Sequence, residues 1–447
     1  MTDVPRMHLV NRRRHQGFTQ QSAAEAVGVT TTTWARWERG QQGIRVFYWP
    51  KIAAVLGVEL GELGLLLEVA VPTRGQIRST GMESVIEEAI SLWRSEMEPN
   101  RRALLAAMPF MPSALGEWLL SYVHDAPPST TSQSGGGAKV GFSDAVRIDE
   151  AVIAFKRMDS QFGAGLVRPA VVEYLQGTVA PLLKGSFNDE VGRRLLSAAA
   201  RMTSLAGWTA FDMERHGQAQ QHFGQALSLA KASGDSVTSV RVLERMAMQA
   251  FRLDERRWAQ RLTHAGLESA RRPGVPPAVT ARGLVLHAQA LAMAGQPGTG
   301  FSAVRSDSEV ERLLGEAERI LERDDRDLGW GVSFDTAWYL SEAASVWGRL
   351  GHYRRALECA GESVASFENT RTRAVQFTRL QLASARLGAG DVEQALTDVE
   401  PVVLGARSLT SARLTASLRR FVTALEPYSS TVQVREFRDR LKAELSA

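Results

Sequence analysis

The stretch from Thr19 to Gly40, TQQSAAEAVGVTTTTWARWERG, decides how the first part of the chain folds. Thr19 and Thr30 each open a run with helical character, and a threonine hydroxyl in that place satisfies an amide hydrogen that the first turn of a helix leaves over. Gly28, between the two runs, permits the tight turn that stops one helix and sets the next across it. Ala23, Ala24, Val27, Val29, Trp34 and Trp37 supply a small core.

Outward from this stretch, short helices are expected over Met7 to Gln16, Thr19 to Val27, Thr30 to Arg39 and Pro50 to Leu56, with Gly17, Gly28, Gly40 and Gly57 at their ends. Pro50 is tolerated in a first turn, so the fourth helix starts late. The aromatic trio Phe47, Tyr48 and Trp49 reads as packing rather than as a platform for bases. Val71 to Ile77, with Pro72 and Gly75, reads as the exit from this domain, followed by a helical stretch from Met82 to Val123. Residues 126–137, APPSTTSQSGGG, are too poor in apolar groups to form a core and read as a flexible linker. The glycines continue as GGGAKVG, which superficially resembles a phosphate-binding loop. No strand precedes it and no Lys-Ser/Thr pair closes it, so that reading is set aside.

The formal charge is only +4 over 447 residues, but residues 1–51 hold eight basic side chains against Asp3, Glu25 and Glu38. A basic head on a balanced body assigns phosphate contacts to the N-terminal segment. Cys359 is the single cysteine, which rules out an intramolecular disulfide and any cysteine-based zinc or iron–sulfur site. Neither a signal peptide nor a membrane span is read, so a cytoplasmic location without membrane contact is expected.

From Phe142 onward nearly every segment fits helical periodicity, in runs of 12 to 18 residues. Alanines recur in related contexts: Ala219 and Ala259 are 40 residues apart, Ala356 and Ala395 are 39 apart. Small residues are required where two helices cross closely, and recurrence at a near-constant period announces an array of helix pairs. The expected fold class is all-α, and the expected domains are 1–75, a connector over 76–140, and a repeat domain over 141–447.

Several linked positions, Thr19-Gln20, Gly28-Val29, Thr30, Glu38-Arg39-Gly40 and Leu56-Gly57-Val58, resemble the Xre/Cro-type helix-turn-helix family. That resemblance implies a five-helix DNA-binding domain in which Arg13 pairs with Glu38. The helix capped by Thr30 would enter the major groove, with Thr31, Thr32, Ala35 and Arg36 toward base edges. Arg36 could grip a guanine edge with both its nitrogens. Gln20, Thr33, Arg39 and Arg45 are better placed for phosphates, which position without specifying. One such domain makes few contacts, so a homodimer on a palindromic operator, with half-sites about 34 Å apart, is expected.

In the second part, Leu340, Ala344, Trp347, Leu350-Gly351-His352-Tyr353 and Ala356 resemble tetratricopeptide repeats. The period is longer than theirs, and the loops RRPGVPP and AGQPGTGF depart from the pattern. With LAGWTAFDMERHGQAQQHFGQALSLAKASGD at 205–235, the order of features looks like the repeat-containing Xre regulators of high-GC Gram-positive bacteria. More loosely it is similar to regulators that sense short peptides. In such repeats the first helix of each pair lines the concave face, which places Arg201, Trp208, Asp212, Arg241, Glu244, Met248, Arg252, Gln289 and Trp338 there. Charged groups beside aromatic surface suit a short peptide or a polar small molecule as effector.

His216, His222, His264 and His287 lack a metal-ligand spacing and read as core or surface histidines, so no metal or cofactor is expected. Glu87-Glu88 and Asp324-Asp325 read as solvated helix faces. With no defensible nucleophile or acid–base pair the chain is not read as an enzyme. The alternative to a ligand-responsive regulator is a repeat scaffold that the DNA-binding head merely locates.

Overall fold

The computed structural model describes residues 6–42, 44, 48–58, 63, 81–128, 131–134, 137–294, 303–323, 334–367 and 372–446. The fold is all-α, and the described residues contain isolated β-bridges but no strand. The chain divides into two compact units: Met1–Ser79 with Glu98–Met111, and Thr80–Met97 with Pro112–Ala447.

In the first unit α1 (Met7–His15), α2 (Gln20–Val27), α3 (Thr31–Glu38) and α4 (Trp49–Leu56) pack around Leu9, Ala23, Ala24, Val27, Trp34, Trp37, Ile52 and Leu56. Thr19 caps α2 by accepting the Ser22 amide at 3.0 Å, and Thr30 caps α3 by accepting that of Thr33 at 3.2 Å. Gly28 closes α2 at φ +83°, a left-handed conformation that a side chain would strain. Tyr48 stands against Trp37 with ring centroids 5.3 Å apart, and Trp49 is buried. The fifth helix of this domain and its exit over Val71 to Ile77 fall outside the described residues.

The helical stretch from Met82 to Val123 consists of three helices: α5 (Met82–Met97), α6 (Pro99–Ala106) and α7 (Pro112–His124). Proline disfavours helical backbone at the residue before it; Glu98 is extended and a new helix starts at Pro99. Pro112 likewise opens α7. The segment over 126–137, expected as a free linker, is tied down at several described residues. Thr131 is buried, its amide donates to Asp189 Oδ1 at 2.7 Å, and its hydroxyl donates to the Asp189 carbonyl at 2.8 Å. Gln133 exchanges backbone hydrogen bonds with Phe187.

The second unit continues through α8 (Phe142–Phe162), α9 (Ala164–Tyr174), a π-turn over Leu175–Val179 and the short α10 (Ala180–Leu183). Five helix pairs then follow: α11 (Asp189–Asp212) with α12 (His216–Ser233), α13 (Ser236–Arg252) with α14 (Arg256–Ala270), α15 (Pro277–Ala294) with α16 (Ala303–Arg323), α17 (Thr336–Arg349) with α18 (Tyr353–Ser366), and α19 (Thr372–Gly388) with α20 (Val392–Ser408). Last come α21 (Ala412–Ala424) and α22 (Val432–Ser446). Side-chain caps at Asn188, Asp235 and Asp335 set the starts of α11, α13 and α17.

Four of the pairs share one connection. Three residues join the two helices, and the middle one, Glu214, Asp254, Gly351 or Gly390, has φ of +59°, +57°, +80° or +86°. The fourth residue of the helix that follows is Ala219, Ala259, Ala356 or Ala395, each almost fully buried where the partner helix crosses. A left-handed residue ends the first helix and an alanine admits the second, so the period seen in the sequence is the period of this turn. Gly388 allows a close approach between neighbouring pairs, since a Cβ there would meet a ring carbon of Tyr353 on α18 at 2.3 Å.

The row of pairs curves until its ends meet. The Thr410 amide donates to the Phe162 carbonyl, the Thr410 carbonyl accepts from Gly165, and α19 and α21 lie against α8 and α11. Among the described residues no helix is long and apolar enough to cross a membrane.

Candidate functional site

Glu38 is the hub of the N-terminal unit. Its Oε1 accepts from Arg13 Nε at 2.6 Å and Trp34 Nε1 at 2.8 Å, and its Oε2 accepts from Gln20 Nε2 at 2.6 Å and Arg13 Nη2 at 3.3 Å. Arg13 Nη1 also donates to the Phe18 carbonyl at 2.7 Å. Burial alone would raise the Glu38 carboxyl, but the bonds from Arg13, Gln20 and Trp34 hold it below the usual carboxylate range. Three helices are thereby fixed by one ionised carboxylate.

That hub orients α3. Trp34, Trp37 and Glu38 face inward, so Thr31, Thr32 and Arg36 are exposed on the opposite side, with Ala35 and Thr33 half-buried beside them. The exposed Thr30 hydroxyl is shared with Thr33 at 2.9 Å and marks the helix N-terminus, where an anion is favoured. Gln20 is exposed, but one of its amide hydrogens is committed to Glu38. The exposed Arg39 folds back on the Ala35 carbonyl through Nε at 3.2 Å. Arg45 lies outside the described residues.

Sequence reasoning missed two structural arginines in the basic head. Arg12 donates to the Leu56 and Gly57 carbonyls at 3.1 and 2.9 Å, where a cation complements the dipole at the end of α4. Arg6 donates to the carbonyls of Trp37 and Gln42. With Arg13 these are internal struts, so the charge available to a phosphate backbone is smaller than the count of basic residues suggests.

The second unit holds an open cavity of about 1020 Å³, walled by α8, by the first helix of every pair and by α21. Of the residues expected on the concave face, Arg201, Trp208, Arg241, Glu244, Met248, Arg252, Gln289 and Trp338 line it together. Asp212 does not: it is fully buried behind the wall, with Arg413 Nε at 3.1 Å and Arg373 Nη1 at 3.4 Å. Trp208 donates through Nε1 to Asp159 at 3.1 Å and has the guanidinia of Arg245, Arg373 and Arg413 5.2 to 5.8 Å from its ring. Glu244 is bonded by Arg241 at 3.0 Å, and Arg252 holds Glu214 through two nitrogens at 2.9 and 2.8 Å. Burial, followed by the neighbouring Glu244, raises the Glu342 carboxyl despite Arg282 beside it.

The histidines stand in different settings. His222 is fully buried with Nε2 2.5 Å from Glu96, whereas the rings of His264 and His287 lie tilted to each other with centroids 5.9 Å apart. Among the described residues no group of His, Cys, Asp and Glu is placed to hold a metal ion.

Comparison with curated proteins finds no match to the chain. Residues 9–63 match the helix-turn-helix family model, the span that holds the Glu38 hub and the exposed face of α3. The N-terminal unit therefore carries a DNA-binding helix-turn-helix domain, which marks the chain as a DNA-binding regulator of transcription.

Proposed function

We propose that this protein is a sequence-specific, ligand-responsive transcriptional regulator in which tetratricopeptide-like helix pairs bind an effector and hold the protein as a homodimer. The observation that carries DNA recognition is the exposure of Thr31, Thr32 and Arg36 on a helix pinned from behind by Glu38. Threonine offers a hydrogen bond and a methyl group to base edges, and Arg36 a bidentate guanidinium. Thr30, Thr33, Gln20, Arg39 and Arg45 contribute phosphate contacts that set the register. What supports effector binding is the cavity, where eight side chains from four separate helices converge in a volume suited to one small molecule or short peptide.

The test is recovery of bound genomic DNA with the full chain, then a salt-titrated binding assay on the best site with and without residues 1–75, and sedimentation of the free protein. A palindromic site, lost on truncation and bound by a dimer, is the expected result. An effector should then change DNA affinity by about 5- to 150-fold, the usual range of allosteric coupling. Absence of any enriched site would overturn the DNA-binding reading, and DNA affinity that responds only to a partner protein would turn the array into a scaffold.

A further inference from the structure

The cavity wall is strongly biased in charge. Among the described residues it carries eleven basic side chains and three acidic ones, Asp159, Glu244 and Glu342. Several of the cations have carboxylates of their own. Arg373 is bonded to Asp159, Arg413 to Asp212, Arg252 to Glu214, Arg201 to Asp149, and Arg282 lies near both Glu244 and Glu342.

Arg245 is different. Its Nη1 donates to Ser204 Oγ at 2.7 Å and its guanidinium lies 5.6 Å from the Trp208 ring centroid, but among the described residues no carboxylate stands within ion-pair distance of it. Burial, and then the charges of Arg241 and Arg282, push it down to about 9 against the weaker opposing fields of Asp159 and Glu244. A guanidinium keeps its proton throughout the physiological range, so the excess positive field persists. Lys156 feels the same field: burial, followed by Arg245, Arg241 and Arg201, pushes its ammonium well below the usual value. Like charges gathered around one cavity repel until a counter-charge arrives. Leu205, Val242, Met248 and Leu286 supply apolar wall in the same cavity.

We propose that the cavity takes a compact organic anion, a carboxylate or phosphate carried on a flat apolar body, with Arg245 as its anchor. This rests on the reading of the helix pairs as the effector-binding part, and it names the effector's chemistry. The oxyanion supplies the carboxylate-like partner that Arg245 lacks, and the apolar body displaces water from the aliphatic wall. Arg245 is thus a binding residue whose unmet charge lowers the stability of the empty protein.

The experiment uses the full chain and four probes, 1-naphthyl phosphate, 1-naphthoate, the neutral 1-naphthylmethanol and inorganic phosphate, with binding read by calorimetry and by quenching of tryptophan fluorescence. Both naphthyl anions should bind at least about tenfold more tightly than the alcohol, the scale of one charge-assisted hydrogen bond. Whichever anion binds better identifies carboxylate or phosphate as the preferred head. Arg245→Met should erase the preference and raise the melting temperature, while Arg245→Lys keeps part of it and Arg354→Met, at an exposed position, changes nothing. Equal binding of anion and alcohol would overturn the proposal, as would a preference that survives in Arg245→Met. Inorganic phosphate binding as well as 1-naphthyl phosphate would overturn the organic-ligand part. Anion binding that leaves DNA affinity unchanged would instead count against the regulatory reading alone.

Discussion

Arg373 grips Asp159 across 214 residues of chain, its Nη1 and Nη2 lying 2.7 and 2.5 Å from the two carboxylate oxygens. Asp159 belongs to α8 and Arg373 to α19, so the pair joins the start of the helical array to its late repeats. Both groups are buried. Burial alone would lower the Arg373 guanidinium, but Asp159 and then Asp212 raise it above the usual value.

Removing one member strands the other. Arg373→Met should cost about 3–5 kcal/mol in the denaturant stability of the second unit, because Asp159 is left buried with too few partners. The double variant with Asp159→Asn should recover a good part of that loss. Equilibrium denaturation decides the matter: a single-variant cost below about 1 kcal/mol would show that the clasp does not hold the array together.

Acid should loosen the second unit through Glu96. This carboxylate lies 2.5 Å from Arg168 Nη2, 2.5 Å from His222 Nε2 and 3.0 Å from Gln218 Nε2. Burial would raise it, but His222 and then Arg168 bring it from 4.5 to about 2. A depressed carboxyl stabilises the fold fully above the unfolded value and loses that contribution as pH falls toward the folded one. About 3 kcal/mol should therefore disappear between pH 5 and pH 2. Denaturation midpoints taken across that range should fall steeply in the native protein and less so in Glu96→Gln, and parallel curves would contradict the assignment.

On DNA, Arg36 and Arg39 should separate. Arg36→Ala should reduce discrimination at one base pair by about 1–3 kcal/mol, since its side chain lies on the exposed face of α3. Arg39→Ala should weaken cognate and random DNA alike and flatten the salt dependence by about one unit. Equal losses on cognate and random sequence for Arg36→Ala would remove it from base recognition.

Two repeat turns use a left-handed residue that is not glycine. Asp254 has φ +57° and a mostly exposed side chain, so Asp254→Gly should leave stability within about 0.5 kcal/mol. Asp254→Val, with a branched side chain in that conformation, should cost about 1–2 kcal/mol. Glu214 has φ +59° but also holds Arg252 and His216, so Glu214→Gly should destabilise despite relieving the backbone. Thermal melts of the three variants test the contrast.

What was legible in the sequence was local. The caps at Thr19 and Thr30 and the turn at Gly28 act within a few residues, and their chemistry is written beside the helix it ends. The alanines 39 or 40 residues apart marked the crossing of paired helices, and aligning them located eight residues of the cavity wall, because one register repeats around the array, while Arg245 and the wall supplied by α8, α19 and α21 were missed. Relationships across long separations had no such signal: Glu96 with His222, Thr131 with Asp189, Thr410 with Phe162. Asp212 was assigned to the wall by register alone, yet it turned behind it because Arg413 and Arg373 arrive from distant helices.

The meeting of Thr410 with Phe162 and Gly165 restricts how this protein can evolve. Open repeat proteins lengthen or shorten by duplicating or deleting a unit, because each unit meets only its neighbours. Here an extra helix pair would push Thr410 away from the carbonyl and amide that receive it, and a missing pair would leave them unreached. The number of units is therefore locked, and descendants of this chain can acquire new ligands only by substitution along the inner wall.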